Sequence, residues 1–402
     1  MLDLGPREPN AGRNAETVKH VDLLKHQREI GGKPGHGRSS PNSAWIILPA
    51  FTAGSVRQWP RPIDYHQRVT ESVQQPPFDA VLLVSFGGPQ GVEDIRPFLA
   101  NVLRGRRVPQ ARLEEVAHHY ELFDGVSPIT ELTERQAAAL GARLASEGPA
   151  LPVYVGMRNW HPFLADTLRE MADDGVRRTV GVILAAQRSY SSCEQYRRNV
   201  DAARYENRQA GFADVRVTYV PDWHVAEGFL AACAARIAEA RDALASETDR
   251  PPRIVFTAHS IPTRMADGSR YVTQLRESAR AVASRLGTDD WELVFQSRSG
   301  RPTDPWLEPD ICDYLRTERE RGLEAVVIHP IGFVADHIEV LYDLDREAAE
   351  VCQEVGLPMR RAAAVNDHPR FIDTLVELVR GTVTRYRGCP LPLVAETQQL
   401  EG

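Results

Sequence analysis

The sequence predicts an α/β fold of two successive parallel-sheet units facing one another across a cleft. Three observations carry this. Short apolar runs alternate with amphipathic helical stretches along most of the chain, and the polar linker SETDRPP, 246–252, interrupts the alternation near its middle. Several of the apolar runs also end in glycine, proline or histidine, as strands do in open α/β sheets that keep their sites at the carboxyl ends.

The elements follow in order. Residues 1–76 hold Gly, Pro, Asn and Ser clusters without sustained periodicity, which predicts a disordered extension whose apolar patch Trp45–Phe51 can dock on the body. Order is expected from Phe78, where FDAVLLVSFGGP reads as a buried strand entering a glycine turn. GGP is not GxGxxG, so nothing there argues for a dinucleotide. A helix follows over 91–103, then the basic loop 104–109, helices over 111–120 and 130–146, a strand over 151–160, a helix over 162–175 and a strand over 178–187. That last strand delivers RSYSSCEQYRRNV into a loop and helix. The second half repeats the alternation: helix 225–244, strand 254–262, helix 271–286, strand 291–298, helix 310–322 and strand 325–333, then an acidic helix and a closing helix over 369–386. The expected organisation is an extension (1–76), two sheet units (77–246 and 247–367), a helix packing on the body (368–388) and a flexible tail (389–402).

With 402 residues there is chain enough for two domains, and 42% hydrophobic and 26% charged residues are ordinary for a globular protein. A net charge of −7 gives no general reason to expect nucleic-acid binding, and no apolar run approaches the roughly 18 residues of a membrane span. Five scattered cysteines without a CxxC pair argue against a disulfide framework and for a reducing, cytoplasmic setting. A monomer is expected.

The acidic helix invites chemistry. In IHPIGFVADHIEVLYDLDREAA, 328–349, the acids Glu339, Asp343 and Glu347 stand at i, i+4 and i+8, so an α-helix would stack them on one face at about 6 Å per step. A solvated face is the ordinary reading of such a row. Two histidines weigh against it: His259 ends one apolar strand, and His337 immediately precedes the ladder after another. Strand ends that converge on one cleft would there supply nitrogen and oxygen ligands suited to a borderline divalent metal.

The motifs AHSIP, QSRSGRPTDPWLEPD and GFVADHIEVLYDLD, in that order after LLVSFGGP and GVSPI, resemble the ferrochelatases from about Phe78 to about Tyr386. The segments VLRGRRVP and SYSSCEQYRRN look most like the actinobacterial, coproporphyrin III branch. The resemblance implies two Rossmann-like domains with four-stranded parallel sheets, and insertion of ferrous iron into a porphyrin lying in the cleft. It also implies His259 and Glu339 as the catalytic and metal-site pair, and Asp343 and Glu347 as a proton or metal relay; His337, next to the pair in sequence, is expected to support Glu339 or to ligate with it. Ser127, Tyr196 and Arg104 would contact substrate, Arg104 with Arg106 and Arg107 in a loop that meets propionates. Phe86, Tyr196, Trp306 and Phe333 are candidate cleft walls.

The residue types suit the reaction. Metallation must strip two pyrrole N–H protons while Fe²⁺ sheds water, and imidazole and carboxylate can each hold a metal or take a proton near neutral pH. Bending the macrocycle would aim a nitrogen lone pair at the metal. Phe86 stands where some relatives have a tyrosine, which removes a hydroxyl ligand from that side. Cys193 matches one ligand of the [2Fe–2S] cluster of some actinobacterial relatives, but the tail adds only Cys389, and two thiolates do not make the usual four-thiolate site, so no cluster is expected. Alternatives are a protoporphyrin IX ferrochelatase, a cobalt or nickel chelatase, and a non-catalytic porphyrin or haem carrier that retains the cleft.

Overall fold

The computed structural model describes residues 77–105, 108–299 and 303–387. The predicted extension 1–76, the tail 389–402 with Cys389, and Arg106 and Arg107 lie outside the described residues.

Two four-stranded, wholly parallel sheets form the frame. The first contains β1 (Ala80–Ser85), β2 (Val153–Met157), β3 (Arg178–Ile183) and β4 (Arg216–Tyr219) in the order β2-β1-β3-β4. The second contains β5 (Arg253–His259), β6 (Trp291–Gln296), β7 (Val326–His329) and β8 (Met359–Arg361) in the order β6-β5-β7-β8. One topology is thus used twice. In each lobe the strand order reverses beside the first strand, between β1 and β3 or between β5 and β7, and loops leaving the carboxyl ends there part to opposite faces and open a crevice. Every residue of β1 is buried, as a central strand covered by helices on both faces requires.

The helices are α1 (Ile95–Val102), α2 (Gln110–Glu121), α3 (Ile129–Glu147), α4 (Leu164–Asp173), α5 (Gln195–Gln209), α6 (Glu227–Leu244), α7 (Thr263–Asp267), α8 (Tyr271–Arg285), α9 (Ile311–Glu320), α10 (Ile338–Val340), α11 (Ala349–Glu354) and α12 (Pro369–Arg387). The expected acidic helix is a composite. Between α10 and α11 the chain runs as a π-helix, Leu341–Ala348, and a second π segment, Tyr190–Glu194, leads into α5. Sequence reading passed over β4, β8 and α7.

α12 ties the lobes together. It buries Phe371, Ile372, Leu375, Val376, Val379 and Val383 and packs on α6, on α3 and on β3. α6 precedes the polar linker yet lies against β7 and β8 of the second sheet, so the chain crosses between lobes before the linker is reached. The α6–α12 seam is closed by rings of Trp223, Phe229 and Phe371 with centroids 5.5 to 6.3 Å apart. At its tightest point a Cβ on Gly228 would sit 2.2 Å from the carbonyl oxygen of Arg370. Gly381, on the same helix as Arg370, has open space around its missing Cβ.

These two glycines should therefore respond oppositely to alanine. Gly228→Ala forces the seam apart and should destabilise by about 1–3 kcal/mol. Gly381→Ala relieves a helix-interior glycine and should stabilise by about 0.5–1 kcal/mol. Urea unfolding of each variant checks both signs.

Candidate functional site

The crevice of the second lobe receives one residue from each side of the reversal. β5 ends in His259, and the loop after β7 runs through Pro330–Asp336 to His337, which caps α10, with Glu339 in its first turn. Nε2 of His259 and Nε2 of His337 each lie 3.7 Å from Oε2 of Glu339, so one carboxylate oxygen stands between two imidazoles. The far ring nitrogens each meet a backbone carbonyl. Nδ1 of His259 faces the Ser260 carbonyl at 2.5 Å, and Nδ1 of His337 faces the Ala335 carbonyl at 3.2 Å. A carbonyl only accepts, so each Nδ1 carries a proton and each Nε2 is the ring nitrogen turned toward Glu339. His259 and Glu339 keep about a third of their side-chain surface open, 33% and 36%, whereas His337 is mostly covered at 12%.

Burial pushes the Glu339 carboxyl up, but the contact with His337 and the charges the two imidazoles acquire on protonation outweigh it and hold it at about 2. The next acid is pushed the other way. Burial, then the charges of Glu339 and Glu347, raise Asp343 to about 7, against hydrogen bonds to its Oδ2 from Ser297 Oγ and from Gln296 Nε2 at 3.2 Å. Ser297 adopts φ +61°, a left-handed conformation rare for a non-glycine residue, and so turns its hydroxyl onto Asp343 at the end of β6. Glu347 is also raised, by burial and then by Asp310 and Glu350. Beside it burial lifts the Cys312 thiol to about 12, with Asp310 and Glu347 adding to the effect. The π-helix matters to this row, because its i→i+5 turn is wider than an α turn and a four-residue step falls short of a full circuit. On the outer side Tyr342 stacks on His119 of α2, ring centroids 3.6 Å apart.

The remaining predicted residues are distributed around this group. Tyr196 on α5 is buried, with the Arg158 guanidinium 5.7 Å above its ring; burial lifts its phenol to about 12, Arg158 opposes that, and the charge of Glu339 reinforces it. Arg158 also lies 5.8 Å over Phe86. Ser127 is 3% exposed, gives its N–H to the Pro89 carbonyl at 2.9 Å, and packs so closely on Gly88 that a Cβ there would come within 2.5 Å. Arg104 is exposed beyond the end of α1, with Nη2 2.6 Å from Asn101 Oδ1. No hydrogen bond or ion pair among the described residues joins Ser127 or Arg104 to the imidazole–carboxylate group. Phe333 lies 4.8 Å from the His337 ring, and Trp306 bridges to Pro262 just beyond His259. The Cys193 thiol is 3.5 Å from the Ser189 carbonyl.

Four residues near the site were not singled out from sequence. Arg158 follows the end of β2, Gln296 is the last residue of β6 and Ser297 follows it, positions that could have flagged them. Tyr120 of α2 is buried, and the charges of Glu339 and Asp343 add to burial in raising its phenol, but it reads in sequence as an ordinary core aromatic. Among the described residues no three His, Cys, Asp or Glu side chains are grouped so as to hold a metal ion by themselves.

The fold and site define an α/β protein of two like lobes, with an open imidazole–carboxylate pair at a strand-order reversal. The ferrochelatase family profile matches residues 78–383. The chain is 48% identical over 306 residues to a ferrochelatase of Rhodopirellula baltica, covering 76% of this chain and 86% of that one. It is 45% identical over 327 residues to a coproporphyrin III ferrochelatase of Streptomyces griseus (78% and 87% covered). With the coproporphyrin III ferrochelatase of Mycolicibacterium smegmatis it shares 42% over 332 residues (81% and 97%). This chain belongs to the ferrochelatase family, whose reaction is insertion of iron into a porphyrin.

The opposed carboxyls give a pH signature in the metal-free protein. Between the ordinary carboxylate pKa near 4 and about 7, native Asp343 holds a proton that the unfolded chain has lost, so its contribution to stability falls as pH rises through that window. Asp343→Asn removes the term, and its Tm advantage over wild type should grow from pH 4 to pH 7. A flat difference across that range would contradict the assignment.

Proposed function

We propose that this protein is a lyase that inserts Fe²⁺ into coproporphyrin III, giving coproheme and releasing two protons. The observation that carries the reading is the His259–Glu339 pair, an accessible imidazole Nε2 beside a carboxylate that stays ionised throughout the neutral range. An ionised carboxylate attracts Fe²⁺, and an imidazole nitrogen can ligate it or take a pyrrole proton. We assign those roles to Glu339 and His259, and assign His337 to holding Glu339. Asp343, at about 7, can accept and release a proton near neutral pH, and Glu347 continues the row toward solvent. Tyr196, Ser127 and Arg104 are assigned to the substrate.

The choice of porphyrin is supported by the names of the Streptomyces griseus and Mycolicibacterium smegmatis relatives. It is also supported by charge: coproporphyrin III has propionates where protoporphyrin IX has two vinyl groups, so cations such as Arg104 favour it. None of the described helices is long and apolar enough to cross a membrane. A monomer working in the cytoplasm, with iron and porphyrin as its small-molecule partners, completes the proposal.

Anaerobic Fe²⁺ insertion measured with coproporphyrin III and protoporphyrin IX side by side tests it. The expected result is faster turnover of coproporphyrin, reduced by at least about a hundredfold in His259→Ala. A preference for protoporphyrin would reassign the substrate. Binding of both porphyrins without metallation of either would make the protein a carrier.

A further inference from the structure

The loop that delivers His337 and Glu339 is gripped from the opposite lobe by two buried glutamines. Gln136, on α3, is fully buried, and its Nε2 donates to the carbonyl of Val334 at 3.2 Å and to that of Asn366 at 2.8 Å. Gln187, in the loop after β3, is 2% exposed, and its Nε2 donates to the carbonyl of Ile331 and to Ser278 Oγ, both at 3.3 Å. Each reaches across the lobe boundary to the same stretch, Ile331 to Val334. The grip of Gln136 comes at a cost, because its Oε1 is buried without a partner. Filling space would not require that, since an apolar side chain of the same length would pack without an orphaned oxygen.

What the grip controls is visible one peptide further on. Val334 is followed by Ala335, whose carbonyl holds Nδ1 of His337 and so decides which ring nitrogen meets Glu339. Ala335 itself packs on Ile129 and Leu132 of α3, the helix that carries Gln136. The second carbonyl held by Gln136 belongs to Asn366, whose side chain accepts from the Asp336 N–H and donates to Asp336 Oδ2, both at 2.8 Å. Arg361 Nη1 completes the Asp336 carboxylate at 2.9 Å. One amide group therefore anchors both backbone segments that flank Asp336, directly before His337.

We propose that Gln136 and Gln187 are positioning residues for iron insertion, holding loop 330–336 from the first lobe so that His337, and through it Glu339, present one orientation to the cleft. The inference deepens the functional reading above and depends on Glu339 receiving iron. It differs from simple lobe docking, which would weaken folding or porphyrin binding and leave the metal step alone.

Gln136→Met and Gln187→Met keep length and volume while removing both donors. Steady-state insertion is measured with iron and porphyrin varied separately, alongside Tm, for wild type, both variants, His337→Ala, and Gln136→Met combined with His337→Ala. The expected result is a rise in KM for Fe²⁺ of about tenfold in Gln136→Met, with KM for porphyrin within about twofold of wild type. In the His337→Ala background the methionine should add no further change, because its effect passes through that imidazole. Unchanged KM for iron, an equal rise for porphyrin, or full additivity with His337→Ala overturns the inference. If Gln136→Met does not fold, Gln187→Met decides by the same KM comparison. A wild type that inserts no iron overturns the functional reading and this inference together, whereas an active wild type with an indifferent Gln136→Met overturns the inference alone.

Discussion

The structure turns on one electrostatic constraint: a partly covered carboxylate must stay ionised without being permanently neutralised. Glu339 meets it by standing 3.7 Å from two imidazoles, close enough for their charge to matter and too far for a hydrogen bond to consume the oxygen. An arginine in the same place would hold the charge just as well and would block the oxygen with bidentate bonds. Imidazoles leave it available, and the carbonyls of Ser260 and Ala335 fix both rings so that each Nε2 faces it. The loop, the strand end and the first helical turn are arranged to deliver those three side chains to one point.

The doubled topology explains why the point lies between two lobes. Each lobe opens at its own strand-order reversal, and α12 and α6 clamp the lobes through a continuous aromatic and aliphatic core. The side chains around that point come from opposite lobes: Phe86, Arg158 and Tyr196 from the first, His259 and the loop 330–337 from the second, with Phe86 packed against Ala335 of that loop. Tyr196 and Tyr120 both respond to the charge of Glu339 although neither belongs to its lobe, which places the carboxylate within the field of the facing wall.

Much of this was legible in the sequence, and the failures have physical reasons. The inner strands β1, β3, β5 and β7 announce themselves as apolar runs because both of their faces are covered. β4 and β8 are four and three residues long, lie at sheet edges and read RVTY and MRR, so they carry no periodic signal. His259 and His337 stand out in the sequence because strand ends are where open sheets keep their chemistry, and Glu339 because it belongs to a patterned row; the structure brings the three together. The π-helix could not be read, since four-residue spacing of acids fits an α stripe equally well. Gln136 and Gln187 were invisible for another reason: each acts on carbonyls more than a hundred positions away, and no local pattern encodes such a partner. Ser127 matched a motif, yet its hydroxyl is built into the turn against Gly88, so the motif alone did not disclose its accessibility.

The acidic row shows most clearly what structure adds to pattern. Read from sequence, Glu339, Asp343 and Glu347 are three like charges that ought to repel. In the fold they are three different groups: Glu339 is held at about 2 by its imidazoles, and Asp343 is lifted to about 7 by burial and by its charged neighbours. Glu347 is raised as well and reaches the surface. Mutual repulsion is relieved by protonating the middle member, which Ser297 and Gln296 keep in place. On the proposed reading the order has a direction. The inner carboxylate, the weakest base of the two with stated values, attracts the metal and does not compete with it for protons, while the next one outward is the better proton acceptor. A proton released from the porphyrin is therefore held at Asp343 rather than at Glu339, away from the cation that displaced it.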